Sequence, residues 1–163
     1  MLRGRAAAPR GRLPRYAAAL AAPVAAAAGL AAVAAPAPGA TALLRLDGAP
    51  IRPELALTPA ARARGLMFRT RPPRDGMLFV FPVATSGGFW MKNTLVPLRI
   101  VFFDSRGRSV RSLRMTPCLN DPCRVYDPGR AYRFALELPA ADRRPARRLG
   151  PLPALRRLVL RAI

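Results

Sequence analysis

The sequence predicts a mainly β fold with one or two short helices, and three stretches carry that prediction. Residues 77–81 form a continuous apolar run, Met77-Leu78-Phe79-Val80-Phe81, the pattern of a strand buried on both faces. Residues 98–103 make a second apolar run, interrupted by Arg99. Residues 132–138 alternate, with Phe134, Leu136 and Leu138 on one face and Arg133 and Glu137 on the other. That alternation gives Glu137 a solvated setting with an Arg as its expected partner.

The remaining elements follow in chain order. Residues 36–50 read as a linker grading into a first strand, and residues 51–57 as a half-buried strand that Pro53 demotes toward an edge. Thr58-Pro59 opens a short helix over 60–64, because Thr supplies a capping oxygen and Pro fits the first turn. Gly65 is placed to end it in the left-handed conformation. Residues 71–76 are a turn by composition, and 82–88 a loop whose Gly87-Gly88 pair allows close backbone approach. Asp104-Ser105-Arg106-Gly107 reads as a hairpin turn returning into a strand over 108–115. Residues 116–130 form a long loop, 140–149 a helical segment weakened by Pro145, and 155–161 a strand closing the sheet.

Residues 1–34 stand outside this fold. Arg3, Arg5, Arg10, Arg12 and Arg15 precede an uncharged, Ala-rich stretch ending at Ala32-Val33-Ala34, the small-x-small form of a signal-peptidase site. The expectation is an exported protein cleaved near Ala34; an uncleaved anchor or a transit-like leader are the alternatives. Pro23, Gly29 and the many alanines make the stretch a poor permanent membrane span. A linker and first strand over 35–50 and one β domain over 51–163 complete the organisation.

The formal charge is +20, and losing the leader leaves the rest strongly basic. Those charges are scattered, apart from a modest cluster at Arg143, Arg144, Arg147 and Arg148, and carry no aromatic interleaving or zinc-finger spacing. Nonspecific attraction to anionic surfaces is expected, and no specific nucleic acid. Cys118 and Cys123 are the only cysteines, and in an exported chain they read as an intraloop disulfide with a local effect. The sequence contains no His, which excludes Ser-His-Asp and Cys-His arrangements and His-ligated metals; neither a metal nor a cofactor is expected.

Residue types that Ala, Arg, Pro and Leu elsewhere crowd out gather in residues 65–104. This stretch holds the only Trp, six of the seven Phe, and Lys92, the only lysine among 28 basic residues. Arg64-Gly65-Leu66-Met67-Phe68-Arg69, Gly76-Met77-Leu78-Phe79-Val80-Phe81-Pro82, Phe89-Trp90-Met91-Lys92-Asn93-Thr94 and Pro97-Leu98 resemble the DUF192 family of small, often exported proteins of uncharacterised function. Leu136-Glu137-Leu138 is similar to a later strand of that family. The resemblance covers about residues 51 to 160 and implies a compact, mainly β domain, a jelly-roll-like sandwich or barrel with one or two short helices. It brings no catalytic residue and no reaction. The family reads Asp after Pro-Leu where this chain has Arg99, which would set a like charge beside Lys92 if the two are close.

Trp90 is read either as core packing or as a stacking surface, and Lys92 either as a snorkelling strand-end side chain or as a site residue kept where Arg is the common substitute. Asn93 suits a left-handed turn or a ligand contact. Met67, Met77 and Met91 read as core filler. If residues 89–91 are extended, Trp90 and Lys92 project to one face, opposite Phe89 and Met91. The leading expectation is a binding module in which Trp90, Lys92 and Asn93, joined by Arg69 and bordered by the Cys118–Cys123 loop, hold a small anionic or sugar-like ligand. An enzyme using Lys92 as base or nucleophile and a structural or interaction domain of the cell envelope are the alternatives.

Overall fold

The structure is a computed structural model and describes residues 39–163, so the leader lies outside the described residues. Its centre is a five-stranded sheet ordered β3-β4-β9-β6-β7. These strands are β3 (Glu54–Ala56), β4 (Met77–Thr85), β6 (Leu98–Phe103), β7 (Ser109–Met115) and β9 (Tyr132–Pro139). β3 pairs parallel with β4, and every other neighbour is antiparallel. A second sheet joins β1 (Leu44–Leu46) to β2 (Ala49–Ile51) and β10 (Leu149–Gly150). A two-stranded ribbon pairs β5 (Phe89–Trp90) with β8 (Val125–Tyr126). The helices are α1 (Pro59–Arg64) and α2 (Leu152–Arg161).

The five-stranded sheet is covered on both faces, which is why its central strands read as apolar runs. One face buries Val80, Val101, Phe103, Phe134 and Leu136 with Leu44, Leu46 and Ile51 of the small sheet and Leu155 and Leu158 of α2. The other buries Met77, Phe79, Ile100, Phe102 and Tyr132 with Leu66, Met91 and Tyr126. The arrangement is a sandwich, with no closed barrel among the described residues.

Several local expectations hold for the reasons given. Thr58 Oγ1 accepts from the Ala61 N–H at 3.1 Å, capping α1. Gly65 does end it, but at φ 48°, ψ −133° and so not in the expected left-handed helical conformation. The Asp104 carboxylate accepts from the backbone N–H groups of Arg106 and Arg108, fixing the β6–β7 hairpin.

Others are corrected. Residues 51–57 are not one strand: Pro53, which has no N–H to donate, separates β2 from β3. β4 continues through Thr85, accommodating Pro82 inside a register shift against β9 between Val80 and Thr85. Residues 140–148 are not helical; Asp142 instead folds back to accept from the Arg144 N–H and guanidinium. Residues 155–161 belong to α2, not to a strand. Leu155, Leu158 and Ala162 recur at helical spacing and face the core, a period that a short window hides.

Candidate functional site

The ribbon β5–β8 lies over the aromatic face of the large sheet. Phe89 packs edge-on against Phe79 at 4.9 Å and Phe102 at 5.6 Å, and Phe102 against Tyr132 at 4.8 Å. Edge-to-face pairs of this kind add about 0.5–1.5 kcal/mol each beyond area burial, so the underside of β5 is rigidly held. Alternation then sends Phe89 and Met91 inward and Trp90 outward, leaving Trp90 50 % exposed. Gly88 allows the close approach of β8: a Cβ there would meet Val125 Cγ1 at 2.5 Å and Tyr126 O at 3.2 Å. The Tyr132 hydroxyl donates to Gly87 O at 2.7 Å, and burial pushes its pKa up to about 12, keeping it a donor.

Lys92 Nζ lies 5.6 Å from the centre of the Trp90 ring and 2.5 Å from Asp121 Oδ2. Asp121 is carried by the loop that the Cys118–Cys123 disulfide closes, with the two Cα atoms 5.8 Å apart. That loop is stitched to the motif: Lys92 and Thr94 both bridge to Cys118, and Asn93 N–H donates to Cys118 O at 2.9 Å. Asn93 takes φ 55°, the left-handed turn geometry, and its carbonyl accepts from Phe68 N–H at 2.8 Å. The residues 65–69 are thereby tied to the motif through backbone. The Arg69 guanidinium is committed elsewhere, to both oxygens of Glu54 at 2.8 and 2.9 Å.

The acid beside Lys92 is therefore Asp121. Arg99 points to the other face of the sheet, donating to Arg144 O at 2.9 Å and standing 3.7 Å from Asp142. Its charge is not set against Lys92.

Trp90 forms one wall of a concavity of about 260 Å³ whose other walls include Arg62, Phe81, Gly87, Gly88 and Tyr132. Larger hollows of about 630 and 510 Å³ lie near Arg147–Arg148 and beside Arg156, but among the described residues they are lined by neither a Trp nor an unpaired buried polar atom.

One residue contradicts its sequence reading. Glu137 is not a solvated partner of an Arg: it is 4 % exposed, and its Oε2 has no hydrogen-bond partner among the described residues. β9 is the central strand, and Glu137 stands between Met77 of β4 and Ile100 of β6, under the layer formed by α1 and β5. Burial pushes its pKa from 4.5 up to about 8. It borders a small cavity of about 30 Å³ together with Thr94, Phe79, Phe89, Trp90 and the chain from Arg62 to Met67. The one sequence signal for this was Leu136-Glu137-Leu138 itself, an acid inside a strand whose neighbours are all apolar.

Residues 42–144 match the sequence profile of the DUF192 family, described as Uncharacterized ACR. No curated protein matches the chain. A crystal structure of a "putative transcription regulator" from Sinorhizobium meliloti 1021 is 29% identical and superposes with a TM-score of 0.61, covering 70% of this chain and 95% of that one. A protein of unknown function from Novosphingobium aromaticivorans DSM 12444 is 25% identical with a TM-score of 0.58, covering 68% and 85%.

Proposed function

The chain belongs to the DUF192 family, and for this member we propose a binding module whose site is the Phe89–Asn93 segment and whose ligand is a small sugar-like ring. The observation that carries the reading is Trp90: a half-exposed indole on a rigid aromatic bed, with a charged pair beside it, that also walls a concavity the pair itself does not line. An apolar ring face flanked by fixed polar groups suits ligands that have both an apolar face and a rim of hydroxyls. The volume of about 260 Å³ suits one ring. Lys92 shares its charge with Asp121, so the pair offers a donor and an acceptor together rather than a bare cation. That favours a polar neutral ligand over a strongly anionic one. It also favours binding over covalent chemistry by Lys92, whose amine stands in the open and hydrogen-bonded to a carboxylate.

In this reading Trp90 stacks, Lys92 and Asp121 bond hydroxyls, and Asn93 sets the turn that presents them. Arg69 holds the neighbouring loop through Glu54. The protein works outside the cytoplasm after cleavage near Ala34, where the Cys118–Cys123 disulfide would persist.

Trp90 is the sole tryptophan, so intrinsic fluorescence reports on this site alone. Titration with cell-envelope monosaccharides and short oligosaccharides, N-acetylglucosamine among them, should shift that emission saturably. Trp90→Ala, followed by calorimetry, should weaken the best of these ligands at least tenfold, about 1.4 kcal/mol. An emission spectrum that no sugar alters would count against the reading.

A further inference from the structure

We infer that the cavity beneath Trp90, closed at its inner end by Glu137, is a binding site for a primary ammonium group. It goes beyond the sugar-like reading: Trp90 borders both sites, but this one uses Glu137, Thr94 and the end of α1 and not the Lys92–Asp121 pair.

The groups around the cavity are acceptors and π faces. Glu137 is buried in an otherwise apolar layer, and its Oε2 has no hydrogen-bond partner among the described residues. The last turn of α1 forms a second wall, and a helix end presents carbonyls without intrahelical partners. Gly65 N–H takes Ala61 O and Met67 N–H takes Arg64 O, while the Arg62 and Ala63 carbonyls receive no backbone donor of this kind among the described residues. Phe79, Phe89 and Trp90 supply aromatic rings, which attract cations through the negative face of the ring. Thr94, also buried, adds a hydroxyl that either accepts or donates.

What complements several acceptors, a carboxylate and aromatic walls is one small group with several donors and a positive charge. A hydroxyl would supply one donor and leave the rest unmatched. The volume of about 30 Å³ admits a group of ammonium size. The cavity is reachable, since exposed Ala63 and Arg64 and half-exposed Trp90 share its lining with Glu137.

The charges facing Glu137 set the pH behaviour. β4 and β6 place Met77 and Ile100 beside it and carry no charge there. From α1 come Arg62, whose guanidinium is bound to the Leu57 and Val80 carbonyls, and Arg64, which is exposed. From the motif come Trp90 and Thr94, with Lys92 held by Asp121. Burial, unopposed by any bonded cation, keeps the empty carboxyl protonated up to about pH 8. Ammonium entry must then displace that proton: the Oε–H bond breaks, the proton leaves to buffer, and the carboxylate accepts N–H from the ammonium.

The test uses the whole chain and methylammonium chloride, with sodium chloride at equal ionic strength as control. Trp90 emission should respond to methylammonium and not to sodium. The apparent Kd should fall about tenfold per pH unit below pH 8 and level off above it, with a proton released on binding, read from calorimetry in two buffers. Glu137→Gln should abolish both response and proton release while leaving any sugar response intact. Absence of a methylammonium response across pH 6–9, an equal response to sodium, or an unchanged response in Glu137→Gln would each overturn the inference. If the variant does not fold, the wild-type pH profile decides: a flat profile is incompatible with a displaced proton.

Discussion

Consider Glu137→Gln, followed as unfolding free energy against pH. The folded carboxyl titrates near 8 and the unfolded one near 4.5. Below pH 4.5 both states are protonated and the residue is neutral in each. As pH rises from 4.5, the unfolded state releases its proton while the folded state keeps it, so stability falls. The loss is complete once pH passes the folded value near 8. At 1.36 kcal/mol per unit, a shift of this size corresponds to a loss on the order of 5 kcal/mol between pH 4 and pH 9. Gln has the same shape and no proton to lose, so its curve should lack this decline and cross above wild type as pH rises. Other acids do not mimic the effect. Burial pushes Asp104 and Asp142 up, but hydrogen bonds from Arg108 and Arg144 outweigh it and leave both below the ordinary 3.8. Their stabilisation is lost only as pH falls through that acidic range, in both proteins alike. Urea unfolding at half-unit pH steps gives the difference directly. Two parallel curves from pH 5 to 9 would show that Glu137 is paired or hydrated in the folded protein, and would refute the reasoning.

Three further outcomes follow from the same geometry. Gly76→Ala should destabilise by about 3 kcal/mol or more, because φ is +75° and a Cβ would stand 1.8 Å from the Glu137 carbonyl oxygen; chemical denaturation measures it. Replacing Cys118 and Cys123 together by Ser should cost about 2 kcal/mol in the chain-entropy picture and raise amide exchange at Asn93, whose N–H is bonded to Cys118 O. Lys92→Ala and Asp121→Asn should each move stability by less than about 1 kcal/mol, since the pair is partly exposed; a larger loss in thermal melts would make it a structural clasp instead.

The parts of the fold legible from sequence were those governed by local rules. The apolar runs at Met77 and Leu98, the Thr58 cap and the Asp104 turn each depend on a few adjacent residues. The misreadings came where tertiary context decides. Helix α2 has a Pro at its start and a basic outer face, so its apolar spacing resembled a short strand. Glu137 alternates with Leu136 and Leu138 as a surface residue would, and only the layer of α1 and β5 above it reveals that this face is also buried. The outward projection of Trp90 and Lys92 follows from strand alternation. The partner of Lys92 does not, because Asp121 comes from a loop nearly thirty residues away in sequence, positioned by the disulfide and by pairing with the motif. Arg69 belongs to the family-like motif and is expected to join the site, yet its guanidinium is held by Glu54, fifteen residues upstream.

The binding reading is tested most directly by nuclear magnetic resonance on the uniformly labelled protein. The single Trp90 indole N–H gives one resonance, and Thr85, Gly87 and Gly88 give backbone amides around the same concavity. Adding a sugar that alters Trp90 fluorescence should shift these resonances together, saturably, and leave those of Arg147 and Arg156 in the larger hollows unmoved. Shifts confined to those hollows, with the Trp90 indole unchanged, would place binding elsewhere and contradict the account.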